Sequence, residues 1–359
     1  MQQDNTHKLN CFDIIRHLAA LTVMISHHRP FNGTAESMVR GFLSWGGIGV
    51  AVFFAISGFL VTPSFYRSGN FITFMERRVR RIFPGLIVCS FFLIYLVAPF
   101  YNSTAVFEYL LSPSTFKNFM SMSAMIPVHI PNVFETYKAV GPPNGSLWTL
   151  PIEFTCYLVL SFMLSIHKGF KSSAILFAAS VIASFSFSDI ARQSSFYSIQ
   201  LFWLLQFGSC FFLGSLMHHT RKSWDTPKIK IFLVFISVLF LYVLGSTREI
   251  QVFGYISITL LTIIIGCSFR DILIKGRFDL SYGLYIYAWP IQQIMSNETN
   301  MNYWWSLVAS IITVTALAAL SWKFVEKPFL HKAKGKEVVP ETDPASSNVG
   351  VVSGREGTS

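Results

Sequence analysis

The sequence predicts an all-α, polytopic integral membrane protein: a helical bundle of about ten transmembrane helices with both termini cytoplasmic. Three observations predict it. Apolar residues make up 52% of the chain and charged residues 13%, about half the charged share of a soluble domain, and mean hydropathy is +0.49. The apolar residues gather into runs of about 20, the helix length that crosses a bilayer's hydrocarbon core. Lys and Arg fall mainly between those runs, as cytoplasmic loops demand under the positive-inside rule.

Spans are expected near 11–29, 45–66, 82–101, 147–166, 172–189, 198–217, 229–246, 250–268, 278–296 and 303–325. The first carries Arg16, His17 and His27, and no small-residue cleavage site follows it. It therefore reads as a retained span and not as a secretory signal. With the N-terminus inside, all but six of the 28 basic residues lie in or beside inner segments. The six are Arg29, Arg40, Lys117, Lys138, Arg192 and Arg248. The reverse orientation inverts that bias. The longest outer loop, 102–146, holds Pro113, Pro127, Pro131, Pro142 and Pro143, and reads as re-entrant or interfacial pieces. One membrane domain is expected over 1–329. Residues 330–359, with Lys332, Lys334 and Lys336 and then a Ser/Gly/Pro-rich end, read as a disordered cytoplasmic tail.

A net charge of +10 raises the question of a nucleic-acid partner. The distribution answers it: the basic residues alternate with apolar runs, so topology accounts for them and no nucleic acid is expected. The five cysteines, Cys11, Cys89, Cys156, Cys210 and Cys267, sit in or beside apolar stretches with no metal-site spacing. They read as small buried hydrophobes, and no metal is predicted.

Polar residues inside spans carry the chemistry. Arg16 and His27 are eleven residues apart, close to three helical turns, so they share a face about 16 Å apart along the axis. Arg16 lies near the inner end and His27 near the outer end. Burying an Arg costs roughly 2.5–3.5 kcal/mol on the insertion scale, so such residues usually face a polar cavity. An Arg snorkelling to the headgroups and a His at the interface fit the spacing equally well. His28 is a rival to His27, about 100° around the helix. Arg77, Arg78, Arg80 and Arg81, with Arg67 nearby, form a dense cationic cluster on the inner side. Guanidinium groups bind phosphates bidentately, though such a cluster also anchors topology against anionic lipid. Glu153 falls about two turns into the fourth span, where a carboxylate is costly unless paired or protonated. It is a candidate partner for Arg16 or orienter of His27, and a purely structural ion pair fits as well. Gly47, Gly49, Ser57 and Gly58 permit close helix approach, and Ser57 also offers a hydrogen bond within a site.

Several segments, in order, resemble the membrane-bound acyltransferase 3 family. "FDIIRHLAALTVMISHH" resembles its first span, with Arg, ten residues and His at Arg16 and His27, and Asp13 as the acid one turn earlier. "WGGIGVAVFFAISGFLVTPSFYR" resembles the second span, and "FMERRVRRIFPGL" the basic loop before the third. "NGSLWTLPIEFTCYL" resembles a segment carrying Ser146, Trp148 and Glu153, with Thr149 replacing a second Ser. "FDLSYGLYIYAWPIQQ" resembles the ninth-span signature through Tyr282 and Tyr285. Ala288 stands where many members have a His, which puts a second catalytic imidazole in doubt. It points to the branch without a fused C-terminal hydrolase-like domain. "FVEKPF" resembles the family's close.

The resemblance implies a bacterial polysaccharide or oligosaccharide O-acetyltransferase of the inner (plasma) membrane. It would move an acyl group, most often acetyl, from cytoplasmic acyl-CoA to a hydroxyl of an extracytoplasmic or lipid-linked carbohydrate. No permanently bound cofactor is implied; acetyl-CoA is a substrate, and membrane lipids are the other partners. His27 would act as general base, since an imidazole titrates near neutrality. Arg16 would orient the donor or stabilise developing charge, and the arginine cluster would hold donor phosphates. Direct transfer and an acyl-enzyme both remain open. A transporter or flippase is the rival class, with Arg16 and Glu153 as a coupling pair. The inverted repeats that would favour it are not evident.

Overall fold

The computed structural model describes residues 10–39, 43–102, 104–139, 141–243 and 250–334. Helix α1 spans Phe12–Phe31, a two-residue ribbon pairs β1 (Met38–Val39) with β2 (Leu43–Ser44), and α2 follows at Trp45–Ser68. Helix α3 (Phe71–Phe91) runs on through a π turn, Phe92–Val97, and a 3-10 turn, Ala98–Phe100. The outer segment folds α4 (Val106–Leu111) and α5 (Pro113–Ser123), and a 3-10 turn, Gly145–Thr149, leads into α6 (Leu150–Ile166). Then come α7 (Phe170–Ser186), α8 (Ser188–Gln193) and a second ribbon, β3 (Ser195–Phe196) with β4 (Ile199–Gln200). Next are α9 (Leu201–His219), α10 (Arg221–Trp224), α11 (Pro227–Val243), α12 (Ile250–Ser268) and α13 (Ser281–Asn297). Helix α14 (Tyr303–Ser321) continues through a π turn, Trp322–Glu326, into α15 (Lys327–Lys334).

Six of these segments are long and apolar enough to cross a membrane: Trp45–Ser68, Phe71–Phe100, Gly145–Ile166, Leu201–His219, Gln251–Ser268 and Tyr303–Leu330. The protein is therefore an all-α, multi-pass membrane protein. Helices α1, α7, α11 and α13 lie over the other expected intervals. Helix α1 is diluted by Asp13, Arg16 and Arg29, and the other three are 17 residues each.

Two boundaries differ from expectation. The third span begins at Phe71 and not near 82, because Asn70 caps the helix there: its Oδ1 accepts from the Thr73 amide at 2.8 Å. The arginines expected in a loop are thus helical. At the other end the chain stays helical past 329, through Lys334. The rest of the expected tail, 335–359, lies outside the described residues, as do Arg40 and Arg248.

Helix α2 is the axis of the bundle, packed against α1, α9 and α12. Its crossing with α9 is backbone on backbone. A Cβ at Gly58 would lie 1.8 Å from the Phe211 carbonyl oxygen, and one at Gly214 2.3 Å from that of Ala55. Helix α13 runs beside α1 in the same direction. The Leu280 amide donates to His17 Nε2 (3.0 Å) near the start of both helices. Gln292 Nε2 donates to the Met24 carbonyl (2.8 Å), and Asn32 Nδ2 to Ser296 Oγ (3.0 Å), near their ends. This parallel pair gives the site two poles.

Candidate active site

At the N-terminal pole of α1, a cavity of about 170 Å³ lies among α1, α2, α3, α6 and α13. Its polar lining comprises Arg16, Ser57, Arg78, Arg81, Glu153 and Tyr157, together with Thr149, Ser281, Tyr282 and Tyr285. Helical spacing decides which arginines reach it. Arg78 and Arg81, three apart, share the face that buries Phe74, Ile82 and Leu86. Arg77 and Arg80 fall outside the lining, and Arg80 pairs with the exposed Glu76 at 2.6 Å. Arg67, exposed at the end of α2, does not line the cavity either. The expected five-arginine cluster is therefore divided by the periodicity of α3, and only two of its members join Arg16.

Asp279, just before α13, gathers two of the three cations. It receives Arg16 Nη1 at 3.0 Å and Arg81 Nη2 at 2.6 Å, and Ser281 Oγ donates to its other oxygen at 2.6 Å. Arg81 also reaches Glu326 at 3.6 Å. Arg78 donates to Ser64 Oγ at 3.0 Å and lies over the Phe74 and Tyr157 rings. Among the described residues it forms no carboxylate ion pair, whereas Arg16 and Arg81 both do.

Glu153 is placed differently from either sequence expectation. It neither pairs with Arg16 nor orients His27; it accepts from Ser57 Oγ at 2.8 Å and from the Tyr157 hydroxyl at 2.5 Å. Asp279 lies beside the start of α1 and takes the position at Arg16 that Glu153 was expected to fill. Tyr282 donates to the Ile82 carbonyl (2.8 Å) and Tyr285 bonds Thr149 (2.7 Å), which fixes both rings at the cavity wall. Ser146 and Trp148 shape the 3-10 turn. Ser146 N donates to Asn144 Oδ1, and Trp148 packs on Trp203 and Phe207. Asp13 uses its carbonyl to accept from His17 Nδ1 at 2.7 Å and does not line the cavity.

At the C-terminal pole the two histidines part company. His28 has no exposed surface; its Nε2 is 2.9 Å from Ser306 Oγ and its Nδ1 3.2 Å from Gln292 Nε2. Its ring packs edge-on against Tyr303. Those contacts tie α1 to α13 and α14. His27 keeps 23% side-chain exposure and sits edge-on to Trp289 of α13. Its Nδ1 lies 3.9 Å from Glu36 Oε1, on the segment joining α1 to α2. The helical rise puts His27 about 16 Å from Arg16.

Glu36 and Asp279 escaped the sequence reading, although each left a trace. Glu36 is the sole acid between α1 and α2, and Asp279 heads the stretch before α13. Glu36 lies between the expected spans, and Asp279 is the second residue of the expected ninth span, 278–296, at an edge where an ionisable residue draws little notice.

Comparison with known proteins identifies the family. Residues 9–323 match the model of an acyltransferase domain, that of acyltransferase 3. An O-acetyl transferase of Shigella phage Sf6 is 38% identical over 333 residues, 92% of this chain and 98% of that one. Nodulation protein 10 of Rhizobium leguminosarum bv. viciae is 29% identical over 358 residues, 89% of this chain and 92% of the relative. A Bacillus subtilis protein provisionally named a peptidoglycan O-acetyltransferase is 26% identical over 364 residues, 88% of this chain and 54% of its own length. No solved structure matches. With the family model covering most of its length, the chain belongs to the acyltransferase 3 family and is a membrane O-acetyltransferase.

Proposed function

We propose that the protein carries an acetyl group from cytoplasmic acyl-CoA to a hydroxyl of a carbohydrate on the outer face of a bacterial inner membrane. In this reading the chain crosses ten times with both termini inside, and the tail beyond 329 is cytoplasmic. One observation carries the proposal: a single helix, α1, holds a cationic cavity at one end and a partly exposed imidazole at the other. The parallel course of α1 and α13 keeps those ends on opposite faces of the bundle.

The chemistry follows from that polarity. Arg78, with no carboxylate ion pair among the described residues, and the pair Arg16 and Arg81 sharing Asp279 favour an anionic donor at the inner end. At the outer end, neutral His27 accepts the proton of the sugar hydroxyl as its oxygen attacks the thioester carbonyl. The tetrahedral adduct then collapses, the carbon–sulfur bond breaks, and the departing thiolate takes the proton from His27. The acceptor assignment draws on the Bacillus relative, whose name specifies a glycan. No observation favours the transporter class, and the relatives' acyltransferase names argue for group transfer.

Purified protein in liposomes, given labelled acetyl-CoA and an extract of envelope glycans, tests the reading. Label is expected to move to the glycan fraction, and His27→Ala to slow that transfer by about 10²–10⁴-fold. Transfer at the wild-type rate by His27→Ala would remove the base assignment.

A further inference from the structure

Glu36 is held where an orienting carboxylate belongs, and the hold can be traced atom by atom. Ser26, immediately before His27 on α1, donates its hydroxyl proton to Glu36 Oε1. The same Ser26 Oγ accepts from the Gly46 amide in the first turn of α2 at 2.9 Å. Ser26 is 2% exposed, so this bridge lies inside the α1–α2 contact. Gly46 leaves room for it: a Cβ there would lie 2.7 Å from Glu36 Oε1 and 3.4 Å from His27 Cε1. The glycine, the serine and the carboxylate thus form one assembly around the imidazole.

We propose that Glu36, anchored by Ser26 to the N-terminus of α2, is the positioning residue that fixes the tautomer and orientation of His27. The inference rests on His27 being the general base. With Nδ1 turned to the carboxylate, that nitrogen carries the hydrogen and Nε2 is left to take the hydroxyl proton. The separation of 3.9 Å exceeds a hydrogen bond. It is an ion-pair distance, and charging the ring during proton transfer shortens it. Glu36 then stabilises the imidazolium, while Ser26 keeps the carboxylate from swinging into solvent.

Other charged or titratable groups around His27 do not duplicate this role. Arg29 of α1 donates to the Ala35 carbonyl at 3.2 Å, and His28 faces α14. Lys138 lies against the backbone at Gly33, and the Tyr255 hydroxyl of α12 lies by Gly47. Helix α13 offers Trp289, which is uncharged.

The test is the pH profile of acetyl transfer in proteoliposomes, with the folded fraction of each variant measured by size-exclusion chromatography. Glu36→Gln keeps the shape of the side chain and removes its charge. It is expected to lower kcat about tenfold or more and to move the acid limb to lower pH, because the imidazolium loses its anion. Ser26→Ala and Gly46→Ala are expected to lower kcat with little change in KM for acetyl-CoA, and Ser26→Thr to restore most of the loss. If Glu36→Gln keeps the wild-type kcat and acid limb while His27→Ala is inactive, the positioning role is wrong and the base stands. If His27→Ala is itself active, the base reading fails first. A loss in Ser26→Ala that tracks folded fraction alone, with the acid limb unmoved in Glu36→Gln, would mark the bridge as merely structural.

Discussion

Arg78 differs from the other cavity arginines in what balances its charge. Arg16 and Arg81 share Asp279, and Arg81 also reaches Glu326, so both guanidinium groups have a carboxylate partner. Among the described residues, Arg78 meets a serine hydroxyl and two aromatic faces, and its Nε is buried with no hydrogen-bond partner. A buried cation of this kind is costly until an anion arrives, so the proposed function predicts that Arg78 contributes to donor affinity. Arg78→Lys retains the charge and loses the planar fork, and steady-state kinetics should show KM for acetyl-CoA rising about tenfold, the equivalent of ~1.4 kcal/mol. Arg80→Lys, paired to Glu76 away from the cavity, should change it less than about twofold. The arginines themselves were legible in the sequence; their division was not. A hydropathy average rejects an arginine-rich turn, so hydropathy alone begins the span near 82, and only a helix begun at Phe71 sets Arg78 and Arg81 on one face. Asp279 stayed hidden because its partners lie about 200 and 260 residues away in the chain, as the numbering of Arg81 and Arg16 shows.

Helix α2 organises the elements, and its small residues do more than fit a signature. Gly58 faces the Phe211 carbonyl and Gly214 faces that of Ala55, so α2 and α9 approach with no side chain between them at either crossing point. Ser57, next to Gly58, is thereby aimed at Glu153 and Tyr157 on α6. The packing and the cavity wall therefore depend on the same turn of helix. Gly58→Ala would put a methyl 1.8 Å from backbone oxygen, a clash that a rotamer change cannot relieve. Overpacking of this type costs about 1–3 kcal/mol or more, and thermal unfolding in detergent should show a lowered midpoint with reduced yield. Gly141→Ala, with nothing within 4 Å of its new methyl, should leave the midpoint unchanged. That the second span packs closely was readable from Gly47, Gly49 and Gly58. Its partner was not, since no local pattern in α2 names α9, which lies some 150 residues downstream. The helical outer segment was foreseen only as interfacial pieces, because its prolines interrupt the hydropathy that marks spans.

At the scale of the whole molecule, the function reduces to direction. The basic residues crowd the N-terminal half of α3, from Arg77 to Arg81, and under the proposed topology the positive-inside rule puts that end in the cytoplasm. The proposed function requires the cationic cavity to be on the side where acyl-CoA is made and His27 on the side where envelope glycans are exposed. The described cysteines leave this open to a direct check. Cys11, Cys89, Cys156 and Cys210 are buried and Cys267 is half-buried, so none offers an exposed thiol at either face. A cysteine introduced by Lys168→Cys, between α6 and α7, should stay unlabelled by a membrane-impermeant maleimide until cells are permeabilised. One introduced by Glu135→Cys, in the segment between α5 and α6, should label in intact cells. Proteoliposomes sorted by the same labelling should transfer acetyl only when acetyl-CoA is supplied on the Lys168 side. Labelling of the two positions in the opposite sense would reverse the orientation, and with it the assignment of the arginines to the donor and His27 to the acceptor. Correct labelling with transfer from either side would keep the topology and show that the bundle does not separate the two substrates.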